Sequence, residues 1–302
     1  MNPFDPEALE CLAAIVEEGG FERAARRLHI TQSAVSQRLR GLEAQVGTVL
    51  VVRSRPLKVT PAGQLLLKHT QQLRLLRADL ERDLREFAPR LGGGSREDER
   101  ISIAINADSI ASWALDALGD LARRGVPLEV ITDDQDFTHE WLRSGQVLGC
   151  VTTQHQPLRG CKLVTLGAMH YVAVASPAWA AEHLPDGLTP YNFRHFPFVA
   201  FNRKDDMQTE FVSQCFGLKQ VSLTQLYVPS SEGQVRAIRA GWGIAVVPEQ
   251  IAREDLRSGA LVNVAPGHQL SIQLFWHCWN LQSDVLEALT DALTQAAERH
   301  LN

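Results

Sequence analysis

Residues 21–60, FERAARRLHITQSAVSQRLRGLEAQVGTVLVVRSRPLKVT, decide the fold of the N-terminal part of this chain. Phe21, Ala24 and Leu28 recur at spacings of three and four, which puts an apolar stripe on one face of a short helix. A tight turn follows, and the hydroxyl of Thr31 can cap a second helix by accepting from a free N–H group of its first turn. The stretch therefore predicts two helices joined by a short turn.

The second predicted helix presents a polar face that suits contact with DNA. Its apolar stripe contains Val35, Leu39 and Leu42, which leaves amide, hydroxyl and guanidinium groups on the opposite side. In a helix-turn-helix such groups reach base edges and phosphates when the helix lies in the major groove. A small helical bundle with a solvated polar face is the alternative explanation. The predicted DNA-binding residues of the two helices are Arg23, Thr31, Gln32, Ser33, Ser36, Gln37, Arg38 and Arg40.

The distribution of charge separates these two explanations. Residues 20–77 contain eleven Lys and Arg side chains against Glu22 and Glu43, a net charge of +9, whereas the whole chain carries −5. The residues outside that window therefore sum to −14. Such segregation is expected when one domain contacts phosphates and the others do not, so double-stranded DNA is the predicted partner.

A two-stranded wing is predicted after the second helix. Residues 49–52 and 58–60 have the composition of short strands, and they flank a basic tip. We expect Arg53 and Arg55 in that tip to contact the DNA backbone or the minor groove beside the helix. A further helix over residues 6–18 precedes the motif and serves as its scaffold.

A long helix over residues 61–87 is predicted to pair with a second copy of itself. Pro61 suits the first turn of a helix, where the missing N–H group would be unpaired anyway. Apolar residues recur at roughly heptad spacing along the helix, with charged and amide side chains between them. The pairing predicts a homodimer or homotetramer and a two-fold operator, whereas a helix buried within one subunit is the alternative. The apolar positions are Leu65, Leu66, Leu73, Leu76, Leu80, Leu84 and Phe87.

Composition restricts the remaining classes of protein. A chain of 302 residues with 45% hydrophobic side chains can bury two or three compact units. The five cysteines are odd in number and form no C-x-x-C pair, so we predict no disulfide framework, no metal site and no cofactor. Because we find neither a leader sequence nor an apolar run of membrane-spanning length, we expect a cytoplasmic protein without a membrane partner.

The pattern changes to alternating strands and helices beyond residue 100. Glycine-rich and charged residues at 91–99 form the predicted hinge. The alternation is typical of α/β proteins, and we predict a mostly parallel sheet with helices on both faces. Strands are predicted at residues 101–105, 128–132, 147–153, 163–166 and 171–176, with helices at residues 110–124 and 139–144.

The N-terminal stretch resembles the winged helix-turn-helix of LysR-type transcriptional regulators. The matching pattern is F-x-x-A-A-x-x-L-x-I-T-Q-S-A-V-S-Q-x-L-x-x-L-E over residues 21–43, and the resemblance continues through the chain. Within the family, the chain is most similar to the branch that responds to arginine or lysine and regulates export of basic amino acids. The residues that carry this likeness are Asn106-Ala107-Asp108-Ser109, Gln154-His155-Gln156, Asp205-Asp206-Met207 and Ser230-Ser231-Glu232.

The resemblance implies a division into domains. Effector domains of this family resemble periplasmic binding proteins, in which two crossing strands join two α/β lobes. The implied units are a DNA-binding domain at residues 1–60, a dimerisation helix at 61–90, a hinge at 91–99 and an effector domain at 100–302. Within the effector domain, lobe one would comprise residues 100–165 and 267–302, and lobe two residues 166–266.

The ends of the predicted strands contain the candidate effector site. Ligands of such sheets bind at the carboxyl ends of strands, where helix N-termini offer free N–H groups. A basic amino acid suits the acidic and hydroxyl side chains there, because its cation needs carboxylates and its carboxylate needs amides and hydroxyls. Together with the resemblance, this predicts lysine or arginine. The predicted residues are Asn106, Asp108, Ser109, Asp133, Asp134 and Asp136 in lobe one, with Phe201, Asn202, Asp205, Asp206, Ser230, Ser231 and Glu232 in lobe two.

The sequence thus predicts a DNA-binding transcriptional regulator that senses a small molecule. We expect it to control promoters such as that of a basic amino-acid exporter, with RNA polymerase as a further partner. The alternative is an architectural, nucleoid-type DNA-binding protein whose α/β region serves only for assembly. An enzyme is not predicted, because the chain contains no nucleophile elbow, no metal-spaced His/Cys cluster and no complete phosphate loop.

Overall fold

The computed structural model describes residues 4–87, 100–133 and 138–301. Its N-terminal part is a helical domain with a small wing, and one long helix leaves this domain. The predicted winged helix-turn-helix is confirmed, with both wing strands shorter than expected. The predicted hinge at 91–99 and the last residues of the predicted dimerisation helix, 88–90, lie outside the described residues. The elements are α1 (Pro6–Glu17), α2 (Phe21–Arg27), α3 (Gln32–Val46), β1 (Val51–Val52), β2 (Lys58–Val59) and α4 (Pro61–Phe87).

Side-chain caps and a shared apolar core fix the helices of the DNA-binding domain. Asp5 Oδ1 accepts from the Glu7 N–H at 3.1 Å, and Thr31 Oγ1 accepts from the Ala34 N–H at 3.2 Å, which confirms the predicted cap. Gly47 ends α3 with a φ of 77°, a left-handed conformation that glycine adopts without strain. One apolar cluster contains Leu12, Ile15, Val35, Leu39, Leu42 and Leu50.

Leucines lie on different faces of α4. Leu67 and Leu75 are buried, and Leu66 packs against the core of the DNA-binding domain. The side chain of Phe87 lies outside the described residues. The remaining leucines of the predicted stripe are exposed, as expected for a helix that buries them against a second copy. These exposed residues are Leu65, Leu73, Leu76, Leu80 and Leu84.

Residues beyond 100 form a two-lobed α/β domain. Lobe one contains β3 to β5 and lobe two contains β7 to β9. A π-helical turn (Ile110–Ala114) joins α5 to α6, so the helix predicted at 110–124 begins three residues earlier. The elements are β3 (Ile101–Asn106), α5 (Ala107–Ser109), α6 (Leu115–Arg123), β4 (Leu128–Asp133), α7 (Thr138–Arg143), β5 (Gly149–Thr152), β6 (Cys161–Ala175), α8 (Pro177–His183), β7 (Pro197–Ala200), α9 (Met207–Phe216), β8 (Thr224–Tyr227), α10 (Ser231–Arg239), β9 (Ala245–Pro248), α11 (Glu249–Ser258), β10 (Val262–Asn263), β11 (Leu270–Trp279) and α12 (Asp284–His300).

The main sheet is mixed rather than mostly parallel. Its strand order is β10-β6-β11-β5-β3-β4, with β9 also paired to β6. Strand β3 runs parallel to β4 and β5, whereas β6 and β11 run antiparallel to each of their neighbours. The prediction of a mostly parallel sheet is therefore wrong, because two long antiparallel strands cross between the lobes.

Strands β6 and β11 hold the two lobes together. Strand β6 is continuous through the two strands predicted at residues 163–166 and 171–176. It pairs with β11 over residues 161–171, and a β-bulge between Leu274 and Phe275 lies opposite the stretch around Gly167. Glycine within a strand pattern usually indicates an interruption, which explains why the sequence predicted a gap there.

Neither membrane nor metal sites are evident in the described part of the chain. Within residues 4–87, 100–133 and 138–301, no helix is both long and apolar enough to cross a bilayer. The same residues contain no group of three or more His, Cys, Asp or Glu side chains arranged to hold a metal ion. All five cysteines are free thiols, and Cys11, Cys150 and Cys278 are buried.

Candidate functional site

Helix α3 presents its polar residues to solvent on the face away from the domain core. Gln32, Ser33, Gln37 and Arg40 are exposed, and Ser36 is half-buried. The hydroxyl of Thr31 is 2.9 Å from Ser33 Oγ in addition to capping the helix. The amide and hydroxyl groups predicted to contact DNA therefore share one accessible surface at the N-terminal half of α3.

Three of the predicted DNA-binding arginines have partners within their own domain. Arg38 lies 2.5 Å from the Glu7 carboxylate, and Arg23 donates from Nε to the carbonyl oxygen of Glu18. The guanidinium of Arg53 lies over the Phe21 ring, 4.5 Å from its centroid, which holds the wing against α2. These contacts orient the side chains before any ligand binds.

A half-buried aspartate connects the two lobes at the ends of the strands. Asp108, which follows β3, accepts from the Tyr171 hydroxyl at 2.8 Å and from the Ser231 hydroxyl at 2.5 Å. Tyr171 belongs to the crossing strand β6, and Ser231 is the first residue of α10 in lobe two. Both carboxylate oxygens of Asp108 are thus occupied by hydroxyl donors, one of them from the opposite lobe.

The environment of Asp108 favours its neutral form. Burial raises the pKa of the Asp108 carboxyl above its ordinary value, and the nearby Asp205 charge acts in the same direction. The hydrogen bonds from Ser231 and Tyr171 lower the pKa of Asp108 only in part. The sequence predicted that this carboxylate attracts a cation, whereas in the closed cleft it joins the lobes.

A small cavity lies beside Asp108 between the lobes. Its volume is about 30 Å³, which is too small for an amino acid. Asn106 lines it, and both amide atoms of Asn106 are buried without a hydrogen-bond partner. The hydroxyl of Ser109, also fully buried, lacks a partner as well. Asn106 therefore presents one donor and one acceptor group that a molecule in this cavity could satisfy.

Of the residues predicted in lobe two, Phe201 and Asp205 line the cavity. Asp205 lines the cavity and accepts from the N–H groups of Phe201 at 2.7 Å and Met207 at 2.9 Å. Asp206 is exposed before α9, outside the residues that line the cavity. The cavity is lined by Asn106, Ala107, Asp108, Phe201, Asp205, Met207, Gln208, Gln234 and Val246.

The remaining predicted residues cap turns or lie at the surface. Asn202 Oδ1 accepts from the Lys204 N–H at 2.7 Å, and Ser230 caps α10 by accepting from the Gly233 N–H at 3.0 Å. Glu232 is exposed and does not line the cavity. In this closed arrangement Asp206, Ser230 and Glu232 are therefore apart from the cavity, which the prediction did not anticipate.

Lobe one is described only in part at its predicted acidic turn. The backbone of Asp133 pairs with Asn106 at the end of β4, but its side chain lies outside the described residues. Asp134 and Asp136 lie outside them altogether.

Sequence reasoning also missed Tyr171, Gln208 and Gln234. Tyr171 stands within an apolar strand, and only its hydroxyl distinguishes it from a core residue.

Comparisons with known proteins agree along the whole chain. Residues 6–64 match the family described as bacterial regulatory helix-turn-helix protein, lysR family, and residues 94–298 match the LysR substrate binding domain. The HTH-type transcriptional regulator ArgP of Aeromonas salmonicida is 39% identical over 302 residues, covering 100% of this chain and 99% of that protein.

Solved structures give the same result. The crystal structure of ArgP from Mycobacterium tuberculosis superposes with a TM-score of 0.82 at 39% identity, covering 99% of each chain. Full-length LysG from Corynebacterium glutamicum, solved with bound effector Arg, gives a TM-score of 0.74 at 34% identity, covering 99% of this chain and 100% of LysG.

Proposed function

Since the chain belongs to the LysR family of bacterial transcriptional regulators, we propose that it binds promoter DNA and senses a basic amino acid, arginine or lysine. The winged helix-turn-helix would bind the promoter, and the cleft between the lobes would bind the effector. Binding must stabilise two arrangements of the protein unequally to change promoter occupancy.

The observation that carries the effector assignment is the Asn106 amide, which lines the cavity between the lobes. It offers both a donor and an acceptor there, buried without partners, and the unpartnered hydroxyl of Ser109 lies three residues further along the chain. An amino acid can satisfy these groups, because its carboxylate accepts hydrogen bonds and its ammonium donates them. The related LysG of C. glutamicum has been solved with arginine as its effector.

We assign roles to the predicted residues on the same basis. In the cleft, Asn106 and Ser109 would bind the amino-acid head, and Asp108 with Ser231 would respond to opening of the lobes. Asp205, whose charge acts on Asp108, would attract a cationic tail. The proposed effector set keeps Asp133, Asp134, Asp136, Phe201, Asn202, Asp206, Ser230 and Glu232.

On DNA, the proposed base-contacting residues are Gln32, Ser33, Ser36 and Gln37. Thr31 would orient the start of α3. Positively charged side chains would contact the backbone, namely Arg23, Arg38, Arg40, Arg53 and Arg55. Because the proposed partner is promoter DNA, we place the protein in the cytoplasm and assign it no catalytic activity.

Fluorescence anisotropy tests this function. The purified protein is titrated onto duplexes from upstream of its own gene and of neighbouring transporter genes, and onto a scrambled duplex, with and without arginine or lysine. We expect tight selective binding that either amino acid changes. Selective binding that neither amino acid changes would refute the basic amino acid as effector. Equal binding to the scrambled duplex would refute the assignment as a promoter-binding regulator.

Variants in the same assay separate base contacts from backbone contacts. Gln32→Ala or Ser36→Ala should weaken selective binding by about 1–3 kcal/mol and leave binding to scrambled DNA nearly unchanged. Arg53→Ala should weaken both and reduce the salt dependence by about one unit of slope. Equal losses for all three variants on scrambled DNA would contradict these roles.

A further inference from the structure

Helix α4 contacts both the DNA-binding domain and lobe one of the effector domain. Leu75, on one side of the helix, is buried in the same apolar cluster as Ile101 and Leu148 of lobe one. Its neighbour Arg74 instead binds Glu10 and Glu17 of α1. Two consecutive residues of α4 therefore join different domains.

A glycine in lobe one allows a close approach to α4. Gly145 follows α7 with a φ of +76°, and a Cβ atom built there would lie 2.7 Å from both N and Cα of Lys68. A side chain at this position would collide with the Lys68 backbone, so the two backbones can approach each other only because residue 145 is glycine. Lys68 Nζ also donates to the carbonyl oxygen of Arg159 at 3.3 Å. We define the α4 seat as the contacts of Lys68 with Gly145 and Arg159, together with the burial of Leu75 in the apolar cluster of lobe one.

Ion pairs continue from α4 into the helix-turn-helix. Arg74 Nη1 lies 2.7 Å from Glu17, and the same carboxylate lies 2.5 Å from Arg27 of α2. The path from lobe one to α2 thus passes through α4 and α1 by direct contacts. Helix α2 packs on α3, which presents the proposed base-contacting residues.

A large cavity beside the seat leaves lobe one room to move. Its volume is about 560 Å³. Glu17, Arg27 and His29 form part of its DNA-domain wall, and Arg100 and Glu129 form part of its lobe-one wall. Lobe one is thus supported along a narrow strip of α4 instead of being packed over a broad interface. A narrow contact next to an open gap can shift without breaking a domain core.

We propose that lobe one docks on α4 of its own chain through the α4 seat, and that this contact transmits the state of the effector cleft to the DNA-binding domain. The claim that the contact transmits the effector state rests on the proposed function, whereas the claim that lobe one docks on α4 does not. Loss of the seat should uncouple the domains while both remain folded and able to bind their ligands.

Two glycine variants of the full-length protein provide a matched test. Gly145→Ala places a methyl group against the Lys68 backbone. Gly125→Ala, also in lobe one, imposes the same left-handed strain at a φ of +81° but meets no atom within 4 Å. Leu75→Ala, which adds no backbone strain, is the second variant if Gly145→Ala fails to fold.

Effector coupling is the first readout. We measure the factor by which arginine or lysine changes affinity for the selected duplex, together with amino-acid affinity by calorimetry. We expect Gly145→Ala and Leu75→Ala to reduce the coupling factor at least fivefold and to leave amino-acid affinity within about twofold. Gly125→Ala should match the wild type. The same coupling factor in Gly145→Ala, Gly125→Ala and the wild type would overturn the proposal.

Hydrogen–deuterium exchange without effector is the second readout, and it separates the two proposals. We expect exchange to rise together in peptides spanning residues 64–78 and 141–148 for Gly145→Ala but not for Gly125→Ala. If the wild type binds its duplex without any amino-acid response, the proposed sensing of a basic amino acid fails, and exchange alone decides the docking. Equal exchange in the two alanine variants would then refute it.

Discussion

Asp108 is half-buried and receives hydroxyl donors from two directions. The donors satisfy both carboxylate oxygens, yet burial keeps the pKa of Asp108 above its ordinary value. A carboxyl that binds its proton more tightly in the folded protein makes folding depend on pH. Its stabilising contribution is fully present below the pKa of the unfolded chain and is lost as pH rises through the higher folded pKa.

Replacing Asp108 by an uncharged isostere should remove this dependence. We expect Asp108→Asn to gain stability relative to the wild type as pH rises from about 4, the ordinary aspartate value, towards neutrality. Thermal unfolding midpoints of both proteins across that range provide the measurement. Comparing the two proteins cancels the other titrating groups, because both contain them. Parallel midpoint curves would contradict the assignment.

The position of single residues at strand ends was predictable, but their partners were not. Asn106, Asp108 and Ser109 follow a strand, as the alternating pattern indicates. The contact between Asp108 and Ser231 joins residues 123 positions apart, one in each lobe. No local signal distinguishes Asp205, which lines the cavity, from its neighbour Asp206, which does not.

At the scale of secondary-structure elements, ion pairs hold α1 against α4. Arg74 is bound by Glu10 and Glu17, and Glu17 is bound in addition by Arg27. Burial alone would raise the pKa of Glu17, but the two arginines outweigh it and hold that pKa below its ordinary value. The Glu17 charge therefore stabilises the fold at neutral pH, and this contribution is lost as pH falls through its folded pKa.

Removing Arg74 should destabilise the DNA-binding domain. The Arg74 side chain is 19% exposed, whereas that of Arg77, paired with Glu81 one turn away, is 80% exposed. We expect Arg74→Ala to cost about 2 kcal/mol, because two carboxylates lose their partner, and Arg77→Ala to cost about 0.5 kcal/mol or less. Urea unfolding of both variants measures these costs, and similar values for the two would refute this account.

Elements with local signals were predicted more accurately than the pairing of strands. The Thr31 cap, Pro61 and the apolar period of α3 lie within a few residues of the boundaries that they determine. The direction of β11 depends on how the chain returns from lobe two, so the sequence did not reveal its antiparallel pairing with β6. The continuity of β6 through Gly167 was missed for a related reason, since its partner strand lies about a hundred residues away.

At the scale of the whole molecule, the exposed leucines of α4 require a partner. Leu80 and Leu84 stand on the surface of the single chain, with Leu80 57% exposed. Leu80→Glu should raise the dimer dissociation constant at least about tenfold, because pairing would bury an unpaired charge. Analytical ultracentrifugation measures the change. Tyr191→Glu, at an exposed site in lobe two, is the control and should leave assembly unaltered.

The crossing strands also determine how the lobes can move. Strands β6 and β11 are hydrogen-bonded from one lobe into the other, and the tail of the chain covers the crossing, since a Cβ atom at Gly167 would lie 2.8 Å from Leu301. Sliding the lobes apart would break this ladder, whereas twisting at the bulge preserves it. We therefore expect effector binding to rotate one lobe relative to the other about the crossing strands. Atoms farthest from the twist axis travel farthest, so a small closure at Asp108 becomes a larger displacement at the outer edge of each lobe.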